Sequence, residues 1–118
     1  MKLIKSLFLF IVVGFISCQS QKKFDPIQWR TVEDPAFPPQ SRKAMLKDLL
    51  DNYKLKSMSQ SQVFNLLGEP DYSSDSAITY KIVEDYGSDT DPVYTKTLDI
   101  TLNKDKTVQS IDVQEWRK

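Results

Sequence analysis

The sequence predicts an α+β fold in which two helices pack on one face of a three-stranded antiparallel meander, in the order ααβββ. Apolar residues recur at helical spacing in two stretches, one after Ser41 and one after Ser59. Two later stretches alternate apolar and polar residues strictly, and a third does so with one break. These three are consecutive, and sequential strands usually lie side by side, which favours a meander covered by the helices.

The first element is an export signal. Lys2 and Lys5 precede an apolar run from Leu7 to Ile16, followed by Ser17 and Cys18. A basic start, a short apolar middle and a small residue before the cut make a secretory signal peptide over 1–17. The run is about half the roughly 20 residues that a bilayer span requires. Phe15-Ile16-Ser17-Cys18 resembles a lipobox. That implies cleavage before Cys18 and lipidation of its thiol by a diacylglycerol, with palmitate-class chains. At about 0.8 kcal/mol per buried methylene, two or three chains hold a protein at a membrane almost permanently. Ordinary cleavage at the same point, leaving a secreted protein, is the alternative.

Residues 18–40 read as the lipidated N-terminus and a Pro-rich tether, because Pro26, Pro35, Pro38 and Pro39 remove backbone donors and disfavour helix. Phe24, Ile27, Trp29, Val32 and Phe37 interrupt its polarity. Two readings stay open. These aromatics dock onto the domain, or Phe24 to Trp29 form a partner-binding or lipid-interface segment.

The folded domain is expected over 41–118. Ser41 can cap a helix from Arg42 to Tyr53 whose stripe is Met45, Leu46, Leu49, Leu50 and Tyr53. Ser59 with Gln62 makes a capping box for a second helix, with Val63, Leu66 and Leu67 as its apolar face. Gly68 stops that helix in a left-handed conformation and Pro70 prevents its resumption. Ile78, Tyr80 and Ile82 mark the first strand, and Leu98, Ile100 and Leu102 the second. After the turn Asn103-Lys104-Asp105-Lys106, Val108, Ile111 and Val113 mark the third, and their spacing predicts a β-bulge near Gln109-Ser110.

Composition excludes several chemistries. Acidic and basic residues balance at 16 each, without a cluster dense enough for nucleic acid. The chain has no histidine, which removes Ser-His-Asp and Cys-His catalysis and the common zinc sites. Cys18 is the lone cysteine, so no internal disulfide forms, and three scattered glycines make no phosphate loop. Residues 84–91 hold four acids but lack the EF-hand order, so a solvated hairpin loop is expected in place of a cation site. No cofactor, metal or catalytic residue is expected.

Residues Met58 to Asp71 resemble the helix signature of the SmpA/OmlA family of small outer-membrane lipoproteins, and Thr97 to Asn103 and the strand after its turn resemble that family's second and third strands. The resemblance spans most of residues 42–113. Where the family usually has glycine before the methionine, this chain has Ser57. The resemblance implies a BamE-like ααβββ domain, a fold shared with β-lactamase-inhibitory-protein-like domains. It also implies a non-enzymatic role binding a protein partner in the cell envelope, in outer-membrane β-barrel assembly or envelope maintenance. Gln19 after the cysteine lacks the acidic residue that retains lipoproteins in the inner membrane of proteobacteria, so the expected location is the outer membrane, facing the periplasm. The alternative is an inhibitor-type module for a periplasmic or extracellular enzyme. Its contact surface would be the open sheet face, with Thr79, Lys81, Asp99, Thr101 and Asp112.

Overall fold

Capping, alternation and proline placement are read directly in the computed structural model, which describes residues 21–118. The expected signal peptide and the lipidation of Cys18 lie outside the described residues. Among the described residues there are three helices, α1 (Pro26–Arg30), α2 (Ser41–Asn52) and α3 (Gln60–Leu67), with a 3-10 turn at Leu55–Ser57. The strands are β1 (Tyr72–Ser73), β2 (Ala77–Asp85), β3 (Tyr94–Leu102) and β4 (Val108–Arg117). They form one antiparallel sheet in the order β1-β2-β3-β4. The α+β class therefore stands, with two corrections: the sheet has a fourth strand and the helical layer a third helix.

The extra helix lies in the expected tether. Asp25 accepts a hydrogen bond from the Ile27 N–H at 2.9 Å and Pro26 occupies the first turn, where a missing donor costs nothing. This turn drives Trp29 into the core, where it is fully buried, and Phe24 is buried beside it. The two rings lie 5.7 Å apart, and Phe24 meets Tyr53 edge-on at 5.1 Å. The Lys22 N–H donates to the Ala44 carbonyl and the Phe24 N–H to Asp48 Oδ2. The body thus reaches back to the start of the described residues, and residue 41 is not its boundary. Local composition favoured an extended tether; the apolar area of two aromatic rings outweighed it.

Helix α2 also departs from expectation at its start. Gln40 already has helical dihedrals, so Ser41 lies inside the helix and makes no cap hydrogen bond. Helix α3 follows the expected pattern: Ser59 Oγ accepts from the Gln62 N–H and Gln62 Oε1 accepts from the Ser59 N–H. Gly68 ends it with φ 83° and ψ −166°, a positive φ with extended ψ and not the left-handed helical cap. A Cβ there would approach Arg30 Cδ at 3.1 Å, so glycine is required both for the backbone and for the packing. Ser57 closes the 3-10 turn without a positive φ, and serine carries no backbone penalty there.

In the sheet, Ile78, Ile100 and Ile111 lie in one cross-strand row and Tyr80, Leu98 and Val113 in the next. With Ile82, Leu102 and Val108 they face Met45, Leu46, Leu49, Leu55, Val63 and Leu67 across the core. The expected bulge is present: the register of β3 and β4 shifts between Thr101 and Leu102, leaving Gln109 as the extra residue. A second bulge occurs at Ile82 between Lys81 and Val83. It reverses the alternation, so Lys81 and Glu84 share a face and pair at 3.2 Å. Among the described residues, no helix is long and apolar enough to cross a membrane.

Candidate functional site

The described helices pack on one side of the sheet, so among the described residues its other side is uncovered. Thr79 pairs with Asp99, Asp99 with Asp112, and Thr101 with both Ala77 and Ser110, which brings four of the expected contact residues together on that face. Asp99 and Asp112 are directly opposite, an arrangement that destabilises an antiparallel pair. Gln114 Nε2 donates to Asp112 Oδ2 at 2.8 Å, which offsets part of that repulsion. Tyr72 and Trp116, 63% and 51% exposed, flank the face.

Lys81 belongs to this face but is already engaged. Its ammonium pairs with Glu84 and lies 5.7 Å from the Tyr72 ring. Burial opposes its charge, but the hydrogen bond and attraction of Glu84, with Tyr72 and Asp71 adding to them, outweigh burial and raise its pKa. Phe24 and Trp29, the other two expected partner-binding residues, are part of the core. Their burial corrects that assignment, because a side chain with little or no exposed surface offers little or none to a partner.

The densest polar cluster was not expected. Arg42, only 5% exposed, reaches from α2 across the end of the short β1. Its Nε donates to the Trp29 carbonyl at 3.0 Å, and its Nη1 donates to Asp71 Oδ2 at 3.1 Å and to the Lys81 carbonyl at 2.8 Å. The guanidinium carbon lies 5.1 Å from the Trp29 ring and 5.7 Å from the Tyr80 ring. Asp71 Oδ2 also accepts the Lys81 N–H at 2.7 Å. Burial lowers the Arg42 pKa while Asp71 opposes the shift, and the same burial pushes the Tyr80 phenol up. Both backbone groups of Lys81 are therefore satisfied by side chains where β1 no longer covers β2. The cluster closes a sheet edge. The signal for it was the i, i+3, i+4, i+7 placement of Arg42 with Met45, Leu46 and Leu49, which puts a cation on the buried stripe.

The acids of the loop between β2 and β3 disperse onto separate partners. Glu84 pairs with Lys81, Asp89 with Lys118 at 2.6 Å, and Asp85 Oδ1 accepts the Gly87 N–H. Among the described residues, no three His, Cys, Asp or Glu side chains converge as metal ligands. No protein-family model, curated protein or solved structure matches the chain.

Proposed function

We propose that this chain is a non-enzymatic, membrane-anchored envelope lipoprotein of the SmpA/OmlA type that binds a protein partner through its open sheet face. Outer-membrane β-barrel assembly or envelope maintenance is its setting. The observation that carries this reading is the relation between the uncovered face and the point where the chain leads back toward Cys18. The Lys22 N–H bonds to the Ala44 carbonyl of α2, and Gln21 shares one groove with Lys47, Asp48 and Asp51 of that helix and another with Lys96 and Val113 of the sheet. Three peptide units can span no more than about 11 Å, so a lipid on Cys18 would hold the helical layer close to the bilayer. The sheet face would then point away from lipid, where an aqueous partner can reach it. The like-charged pair Asp99 and Asp112 supports a contact role for that face, since a partner cation placed there would relieve a repulsion that folding alone leaves in place.

Cys18→Ser is expected to move the protein from the membrane fraction to the soluble fraction while its denaturation midpoint stays unchanged. A membrane-bound mutant of mature size would defeat the anchor. Photo-crosslinkers at Thr79, Asp99 and Thr101 are expected to capture one envelope protein, and crosslinkers at exposed positions of α2 are not. Barrel-assembly subunits among the products would support the specific setting, and their reproducible absence would remove it.

A further inference from the structure

The edge of β4 differs from the open face and carries an inference of its own. The Val108 N–H points away from β3 and donates to the Met58 carbonyl at 3.0 Å, and the Lys118 N–H points toward β3 and donates to the Val93 carbonyl at 2.9 Å. Thr101 pairs with Ser110 and Thr95 with Trp116. In an antiparallel ladder these directions alternate, so the backbone groups of Ile111, Val113, Glu115 and Arg117 all point away from β3. None of them bonds to another described segment. The bulge at Gln109 guards the start of this edge, and from Ile111 to Arg117 it contains charged residues but no proline or lysine.

Beside this edge, on the helical side, lies a groove of about 410 Å³ between α2 and the sheet. Leu46, Leu50 and Val113 form its apolar lining, while Lys43, Lys47 and Lys96 bring positive charge. Asp51 pairs with Lys47 at 2.7 Å, Lys96 lies opposite Glu115 on β4, whose carboxylate offsets its charge, and among the described residues no ion pair engages Lys43. A strand added to β4 would place alternate side chains next to Ile111 and Val113, at the mouth of that groove.

We propose that the β4 edge accepts an extended segment of a partner protein, apolar at alternate positions and acidic where it meets Lys43. The unpaired backbone favours a peptide over a lipid chain, which supplies neither donor nor acceptor. Gln21 also lines this groove, which places the site beside the expected anchor, but the site uses no residue of the open face and stands or falls separately from it.

The test uses the purified full chain in detergent micelles and a fluorescein-labelled octapeptide of alternating valine and threonine ending in two glutamates. The peptide is expected to bind, and to slow amide exchange at Val113, Glu115 and Arg117 but not at Asp112 and Gln114. Glu115→Pro removes an outward N–H without touching the ladder to β3, and is expected to weaken binding at least tenfold. In Lys43→Glu, a lysine-ended peptide should bind better than the glutamate-ended one. Equal binding of a scrambled peptide, or unchanged exchange at Val113 and Glu115, would overturn the proposal even if the proline variant fails to fold. Loss of self-association in Glu115→Pro would assign the edge to a second copy, and protection of the same amides by lipid vesicles alone would assign it to lipid; either outcome rejects the peptide.

Discussion

Where β1 ends, the bare edge of β2 meets side chains: Asp71 takes the Lys81 N–H and Arg42 takes the Lys81 carbonyl. Along β4, the Val108 N–H is taken by Met58, and from Ile111 to Arg117 the outward groups have no partner among the described residues. The same sheet thus has one edge closed with a buried cation and another left open. Closing an edge this way is expensive, since a guanidinium must leave water and every donor must be matched. The β2 edge bears that cost because it borders the core at Trp29 and Tyr80. The β4 edge from Ile111 to Arg117 has no such aromatic pair beneath it, and its outward backbone can be satisfied by water.

The largest effect is expected from dismantling the closed edge at its aromatic support. Trp29→Ala removes a fully buried ring against which Arg42 stacks and should cost about 3–5 kcal/mol, read by chemical denaturation. A loss below about 1 kcal/mol would mean that the N-terminal segment only rests on the domain. Asp71→Ala leaves Arg42 short of its counter-charge and frees the Lys81 N–H. Asp71 is itself one-third exposed, so a loss of about 2–3 kcal/mol is expected, below the range for a fully buried pair. Doubling the loss by adding Arg42→Met would show that the two residues do not act as one unit.

Smaller effects test the open side. Asp112→Thr replaces a like-charge neighbour of Asp99 and should raise stability by roughly 0.2–1 kcal/mol, while weakening any partner that reads the acidic pair. A stability loss would show that Gln114 and solvent already neutralise the repulsion. The smallest effect concerns acid. Asp48 is held below its ordinary value of 3.8, first by the Phe24 N–H and then by Asn52. A depressed folded pKa contributes stability above the unfolded value and loses it as pH falls through the folded one. Exchange at the Phe24 amide should therefore accelerate below about pH 4, and in Asp48→Asn that acid step should be absent.

Much of the architecture was legible because its causes are local. The capping box of Ser59 and Gln62, the alternation of Ile78, Tyr80 and Ile82, and the break between Val108 and Ile111 each involve residues within a few positions of one another. The candidate contact residues Thr79, Asp99, Thr101 and Asp112 were placed on one face by the same alternation. Lys81 was placed there too, but its pairing with Glu84 depends on the bulge at Ile82. No local pattern announced that bulge, since the apolar run Ile82-Val83 suits a strand with or without it.

From the sequence alone came the α+β class, the extent of α3 and the strand rows that build the core, together with the lipobox resemblance at Cys18. Tertiary structure decided that Phe24 and Trp29 are core residues, that β1 joins the sheet and that Arg42 closes one edge while β4 stays open. The physical reason is separation along the chain. Arg42 meets Asp71 and Lys81 at sequence distances of 29 and 39 residues, and Phe24 meets Asp48 at 24. Such contacts form only after helix and sheet have docked, so a pattern within either element cannot contain them.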